Sequence, residues 1–437
     1  MTKVALEAVG AVRRRLAVEI PAGDVAAEIE RAYDQLRRKA RVPGFRQGRA
    51  PRSVLERLFG DQVRADVFGR LVSESYVEAL REQNIEPVGQ PEIVTERAEP
   101  GEPLRYSATV EVRPSVVAAG YTGLAVERPR HTINDDDVSA FIERMRHSQA
   151  RLVPIADRGT VRRGDIATID YEAHIGTRLV GRGEQRRVEV GGEPTDGPGA
   201  HLDGAEIGAP VTFDVDYPAD HDNAELAGQR VAFRVVVSAL AARELPELDD
   251  AFAKHAADCE SVADLRRKVR EELEAAAARD AESSVRSSLI ARLVGAHDFE
   301  VPEAMVERRT EALIDEVLDG LGQRRPPASR EDAVRARLRS ELHDRARDQV
   351  KATLVLEAIA AQEHLEVDDA EIEGRIDRLA ESAGKSRERV RALYQDAGAR
   401  AGLRSRLLQE RAIELVVARA AIADTGGSGV AGVPGNG

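Results

Sequence analysis

The stretch RVPGFRQGRAP, residues 41–51, has a charge opposite in sign to that of the protein as a whole. It contains three arginines, two prolines, two glycines and one phenylalanine, whereas the 437-residue chain has a formal net charge of −13. Residues 1–60 carry +6, which leaves −19 for the remainder. The reversal fits either a solvated helix end with cations near its C-terminus, where the helix dipole favours them, or a surface for an acidic partner.

Phe45 favours the second interpretation. An apolar ring at the apex of a loop built from glycine and proline gains little from folding, but such a ring can anchor a partner surface. The arginines beside it can bind phosphate oxygens with two parallel hydrogen bonds each. The segment therefore predicts an exposed interface with a phosphate-bearing partner.

Composition limits the class of protein. Hydrophobic residues make up 42% of the chain and charged residues 32%, which is typical of a soluble globular protein, and the length predicts more than one domain. The single cysteine, Cys259, has no partner for an internal disulfide. The chain has no apolar run of about 20 residues and no signal-peptide pattern at its start, so we expect a cytoplasmic location without a membrane anchor.

No cofactor or metal is expected either. The nine histidines lack the spacing of a ligand pair, and the glycine-rich stretches lack the Gly-Lys-Ser/Thr ending of a phosphate-binding loop. Three adjacent aspartates, Asp135, Asp136 and Asp137, do not converge on one ion if they lie on a helix. They suit the first turn of that helix instead.

The patterning predicts an α+β multidomain fold. In residues 1–114, the alternating LAVEI (16–20) and YSATVEV (106–112) predict strands on either side of two helices. The first helix is expected to be capped by Asp24, and the second to run from Pro51 to about Gln83 with a break near Gly60. Residues 115–159 are predicted to be a connector that contains one helix.

The rest of the chain divides by periodicity. Residues 160–243 alternate with period two in DIATIDY, VTFDVDY and VAFRVVV, which predicts a small, mostly antiparallel β-rich domain. Residues 244–424 are rich in Ala, Leu, Arg and Glu and are expected to be entirely helical. The glycine-rich residues 425–437 are predicted to form a flexible tail.

The pattern GFRxGxxP, here from Gly44 to Pro51, resembles the signature of the trigger factor family of bacterial ribosome-associated chaperones, and the resemblance covers nearly the whole chain. It implies docking on a ribosomal protein and RNA of the large ribosomal subunit, at the exit of the tunnel. By position, Phe45 and Arg46 are the implied contacts, and Gly44 and Gly48 permit the loop shape. Gln47 stands where the family often has lysine, and Arg49 is the next basic residue.

The middle domain resembles an FKBP-like peptidyl-prolyl isomerase. Tyr171 and Phe233 match pocket aromatics, and His221 stands where the pattern has a tyrosine. Such a pocket needs no nucleophile, because an apolar site that fits the twisted imide lowers the rotation barrier of about 20 kcal/mol. Tyr171 and Phe233 also suit an ordinary core, so two alternatives stay open: a working isomerase, or a passive wall of the substrate cradle.

The helical part is implied to hold nascent and unfolded polypeptides without ATP, and the resemblance also includes a weak homodimer off the ribosome. Two apolar stripes, one from Met305 to Leu321 and one from Ile413 to Ala420, fit either a client surface or a helix interface. The predicted function is an ATP-independent chaperone at the ribosomal exit. The alternatives are a protein that is mainly an active proline isomerase, or a regulator that binds RNA through residues 41–51.

Overall fold

The computed structural model describes residues 2–43, 45–97, 101–192, 197–218, 226–322, 328–382, 384 and 386–427. By density of contacts the chain forms two compact units, one from Met1–Arg128 and Glu282–Thr425, the other mainly from Pro129–Ala281. Helices and strands in several cores confirm the multidomain α+β class. The boundaries predicted at 114, 159, 243 and 424 are those of functional domains, and the division into two compact units does not test them.

The N-terminal part is a four-stranded antiparallel sheet with two helices. Its elements are β1 (Lys3–Ala8), β2 (Arg13–Ile20), α1 (Ala22–Lys39), α2 (Arg52–Glu82), β3 (Glu92–Arg97) and β4 (Leu104–Glu111). The strand order is β1-β2-β4-β3. As the alternation predicted, Leu16, Val18 and Ile20 of β2 are buried with Tyr106 and Ala108 of β4, and they share a core with the two helices.

Two details of these helices differ from the predictions. Helix α1 begins after Pro21, so Asp24 is not its cap but lies in the first turn, where a carboxylate still favours the positive end of the helix dipole. Helix α2 continues through Gly60 without a break. A glycine in a helix interior costs only about 1 kcal/mol, which the burial of Leu55 and Val63 on the same helix outweighs.

The next elements are β5 (Ala125–His131), α3 (Asp135–Ser148), β6 (Arg151–Pro154), β7 (Ile166–Ile175), β8 (Arg178–Glu189), a 3₁₀ turn (Pro198–His201), β9 (Pro210–Asp216), β10 (Arg230–Glu244) and α4 (Asp250–Ala257). Strands β6 to β10 form one antiparallel sheet in which the long β10 pairs with β6, β7 and β9, and β7 also pairs with β8. The predicted alternation is confirmed, since Ile169, Val231, Val235 and Val237 are buried in its core.

The run of three aspartates forms the first turn of helix α3. The Asn134 side chain accepts a hydrogen bond from the Asp137 amide at 2.9 Å, and the Asp137 carboxylate accepts one from the Asn134 amide at 3.0 Å. This reciprocal pair is a capping box, which satisfies two amides at the helix start. Among the described residues, no three His, Cys, Asp or Glu side chains are grouped as metal ligands.

The C-terminal elements are α5 (Val262–Ala296), α6 (Glu303–Gly320), α7 (Ala328–Gln362), α8 (Asp369–Ser382), α9 (Arg387–Leu393), α10 (Ala397–Ala418) and β11 (Ala421–Gly427). Strand β11 pairs with β5, so the prediction that helix extends to 424 and a flexible tail begins at 425 is wrong for residues 421–427. The partner strand lies about 300 residues earlier, a distance that a local pattern does not show. None of the described helices is long and apolar enough to cross a membrane.

An ion pair in the segment between β6 and β7 links the stability of this domain to pH. Asp165 is buried, and its carboxylate accepts hydrogen bonds from the Arg158 guanidinium at 2.5 Å and from the Arg162 amide at 2.7 Å. The Arg158 hydrogen bond is the main reason that the pKa of Asp165 lies below its usual value. A carboxyl whose pKa is lowered by folding stabilises the folded state above its unfolded pKa, and this stabilisation is lost as the carboxylate is protonated.

We expect the unfolding free energy of the middle domain to fall as the pH drops below about 4, near the ordinary pKa of aspartate. Asp165→Asn should lower stability at pH 7 and flatten that pH dependence. Urea unfolding of the full chain, followed by NMR signals of the buried Val190 beside this pair, measures both effects. Parallel pH curves for the two proteins would contradict the assignment.

Candidate functional site

The loop of residues 41–51 joins α1 to α2, and both of its ends are held in a hydrophobic core. Val42 and Ala50 are each 5% exposed and share a core cluster with Tyr33, Leu55 and residues further along α2. Between them, Phe45 is 41% exposed. The chain has only eight phenylalanines, so it leaves one of few large aromatic side chains outside its cores. The loop is therefore fixed at its base, and its aromatic ring remains accessible.

Local hydrogen bonds determine the loop's shape. The Phe45 amide donates to the Val42 carbonyl at 3.1 Å, and the Arg49 amide donates to the Arg46 carbonyl at 2.9 Å. Gly48 is the third residue of the turn that runs from Arg46 to Arg49. Its φ of +82° is a conformation that glycine adopts without strain. The Gln47 side chain donates to the Arg38 carbonyl at 3.2 Å near the end of α1. Gly44, the other predicted loop glycine, lies outside the described residues.

The basic residues in and around the loop, from Arg37 to Arg52, divide into two groups. Arg37 pairs with Asp34 at 3.0 Å, and Arg52 pairs with Glu30 and Glu56 at 3.2 Å while its guanidinium lies 3.1 Å from the centroid of the Tyr33 ring. Arg37 thus pairs within α1, and Arg52 links α2 to α1. Five further basic side chains are exposed and have no ion pair with any described residue: Arg38, Lys39, Arg41, Arg46 and Arg49. Their charge remains available to a partner around Phe45.

The predicted isomerase residues lie on the middle sheet. The ring centroids of Tyr171 and Phe233 are 6.2 Å apart, and both side chains face the sheet's hydrophobic cluster. Phe213, which the sequence indicated only as a strand residue, stacks on Phe233 at 5.5 Å, and His201 lies 4.5 Å from Phe213. The four rings form one continuous group, which we call the aromatic group. His221 lies outside the described residues.

Side chains of β8 and of the 3₁₀ turn near the aromatic group differ in their burial. Val180 and Val188 of β8 pack against the middle core, whereas Leu179 is 51% exposed and Arg187 is also exposed. Leu202 is fully buried, so His201 rather than Leu202 reaches the edge of the aromatic group. The described part of the aromatic group thus contains two phenylalanines, one tyrosine and one imidazole.

The helical part contains an open groove of about 1900 Å³. Its apolar lining includes Ile290, Val294, Leu356 and Leu408, and charged residues such as Arg309 and Glu357 also line it. The two stripes found in the sequence behave differently. Val317 and Leu321 of the first are each 39% exposed, whereas Val416 of the second is buried in the core that α10 shares with α5 and α7.

Comparison with known proteins gives consistent matches. The family model described as "Bacterial trigger factor protein (TF)" matches residues 2–145, and that of the "Bacterial trigger factor protein (TF) C-terminus" matches residues 261–418. The trigger factor of Anaeromyxobacter dehalogenans (strain 2CP-C) is 34% identical over 426 residues, which cover 96% of this chain and 99% of the relative.

Two further similarities extend over the same length. The trigger factor of Geobacter sp. (strain M21) is 32% identical over 427 residues, which cover 97% of this chain and 98% of the relative. A solved structure described under "Promiscuous Substrate Recognition in Folding and Assembly Activities of the Trigger Factor Chaperone" is 22% identical, with a TM-score of 0.48, covering 95% of this chain and 99% of that one.

The exposure of Phe45 makes a prediction about stability that is independent of any partner. Phe45→Ala should change the free energy of unfolding of the N-terminal part by no more than about 0.5 kcal/mol, because the ring lies outside the core. Leu55→Ala, in the core below the loop, should cost about 2–5 kcal/mol. Chemical denaturation of the full-length variants tests both values. A loss at Phe45 as large as that at Leu55 would mean that the ring is part of the core.

Proposed function

The chain belongs to the trigger factor family, and we propose that it is an ATP-independent chaperone that docks on the large ribosomal subunit through residues 41–51. The proposal rests above all on one observation: the exposed Phe45 ring on a loop whose two ends are buried. In this proposal residues 1–114 bind the ribosome, 115–159 connect, 160–243 carry the isomerase site and 244–424 hold unfolded polypeptides in the cytoplasm.

Docking combines an apolar anchor with charge. Phe45 inserts into a pocket of a ribosomal protein at the tunnel exit, since partly exposed aromatic rings on rigid loops are typical anchors of interfaces. Arg46 and Arg49, which have no ion pair among the described residues, bind backbone phosphates of ribosomal RNA. Because the rest of the chain carries most of the negative charge, RNA contact is restricted to this loop.

The double substitution Phe45→Ala with Arg46→Ala should abolish co-sedimentation with 70S ribosomes. The matched control is Arg57→Ala with Leu58→Ala, an equally adjacent pair on α2 in which Leu58 is 51% exposed and Arg57 has no ion pair among the described residues. Control binding should stay at the wild-type level. Unchanged pelleting of the loop variant would refute docking through this loop.

Salt and free RNA distinguish the chaperone from an RNA-binding regulator. Each phosphate that the loop neutralises lowers the slope of log affinity against log salt by about 0.7 to 0.9. We expect ribosome binding to weaken with salt, and binding to isolated ribosomal RNA to be much weaker than binding to ribosomes, because RNA alone lacks the protein pocket for Phe45. Equal affinity for both would favour the regulator.

The groove of the helical part is proposed as the surface that holds nascent and unfolded chains. Its lining alternates small apolar and charged side chains, and such a surface can bind many sequences weakly and release them without an energy source. Val317 of α6 and Leu321, which directly follows this helix, are exposed and add to the apolar surface of the helical part. A weak homodimer off the ribosome stays part of the proposal.

The aromatic group supports a second proposed activity, peptidyl-prolyl isomerisation. Twisting an Xaa-Pro bond removes amide resonance, and an apolar wall that desolvates the twisted imide lowers the barrier of about 18–20 kcal/mol. Tyr171, Phe213 and Phe233 provide three such rings on one sheet face. The centroid of the His201 ring, at the edge of the group, lies 4.5 Å from that of Phe213, and the two ring planes are tilted by 31°.

The full-length protein should accelerate cis/trans exchange of a peptide such as Ala-Phe-Pro-Phe, and Phe233→Ala should remove most of this acceleration. Exchange spectroscopy by NMR on so short a peptide separates isomerisation from chaperone binding. Val237→Ala, a core substitution four residues further along β10, controls for general loosening of the sheet. No acceleration by the wild type would leave the domain as a wall of the substrate cradle.

A further inference from the structure

Strand β8 carries an irregularity directly beside Tyr171. Along the β7–β8 pairing, Ile169 lies opposite Arg186 but Tyr171 lies opposite Gly183, so the register shifts between these two pairs. Glu184 and Gln185 of β8 lie opposite the single residue Asp170 of β7, so β8 has one extra residue that bulges out of the ladder, and Gln185 has φ +53°. The Gln185 amide donates to the Asp170 carboxylate at 2.7 Å, which fixes the bulge on the neighbouring strand.

The bulge brings a glycine under the Tyr171 ring. A Cβ atom added to Gly183 would lie 3.1 Å from Tyr171 Cδ1 and closer still to Cε1, and 2.9 Å from Arg186 Cγ. At Gly181, two residues earlier on the same strand, an added Cβ would lie 3.8 Å from Tyr171 Cε2 and 3.5 Å from Ala173 Cβ, which are ordinary contacts. The ring therefore lies against the β8 backbone at Gly183, in space that a side chain would fill.

We propose that Gly183 is a positioning residue for the isomerase site: with the bulge at 184–185, it lets the Tyr171 ring lie against β8, facing Phe233. This inference rests on the proposed isomerase function. The physical reason is steric, since Tyr171 and Arg186 both occupy the space of a β-carbon at position 183, and Tyr171 has to rotate away if that space is filled. Displacing an aromatic wall by about 1 Å is enough to lower the rate of a reaction that depends on fit to the transition state.

Gly183→Ala should lower kcat/KM for the short proline peptide at least about tenfold, mainly through kcat. Gly181→Ala is the matched control and should stay close to the wild type, because its methyl group has room. In a Tyr171→Leu background, Gly183→Ala should have little further effect, since the ring that it displaces is absent. Equal losses in both backgrounds, or equal losses at 181 and 183, would overturn the proposal.

A spectroscopic measurement tests the positioning separately from activity. A ring lying against Gly183 shifts the Hα resonances of this glycine through its ring current, and Tyr171→Leu should abolish that shift in the full-length protein. If the wild type shows no isomerase activity, the proposed isomerase function fails and with it the catalytic role of Gly183, even where the ring-current shift is present. If the wild type is active but the shift is absent, the proposed function stands and the positioning role is refuted.

Discussion

The burial of Val42 and Ala50 is the constraint on which the function of the N-terminal part depends. These two small side chains fix both ends of an eleven-residue loop in the core between α1 and α2, whereas Phe45 between them is 41% exposed. The cost of exposing one aromatic ring is about that of leaving an apolar side chain in water, up to about 3 kcal/mol, which the core beneath it exceeds. A rigid, exposed ring loses little entropy when a partner binds it.

The basic residues in and around the loop also divide between the scaffold and the contact surface. Arg37 pairs with Asp34 within α1, whereas Arg52 of α2 pairs with Glu30 of α1 and lies over the buried Tyr33, so both cations have partners within the scaffold. The arginines of the loop itself have no such partners among the described residues. Basic residues that are paired within the helices and basic residues that remain available to a partner thus lie within some fifteen residues of each other. The acidic remainder of the chain limits contacts with nucleic acid to the loop.

Patterns that depend on burial could be predicted from the sequence. Strands β2 and β4 of the first sheet and β7, β9 and β10 of the middle sheet were predicted because alternate residues face a core, and the exposed loop because charge, glycine and proline coincide around Phe45. Features that depend on register or distant pairing could not be predicted. Phe213 joins the aromatic group only because β9 pairs opposite Phe233, Gly183 meets Tyr171 only because of a bulge, and β11 forms on a strand some 300 residues earlier. The predicted break at Gly60 failed because tertiary burial outweighs helix propensity.

The central claim, that the Phe45 ring itself contacts the large ribosomal subunit, is tested most directly by placing a photo-crosslinking amino acid at position 45. Irradiation with ribosomes should join the full-length protein to a protein or RNA of the large subunit at the tunnel exit, and high salt should reduce the yield. The same amino acid at position 58, also exposed but on α2, should form no such product. Crosslinks of equal yield from both positions, or none from position 45, would contradict the account.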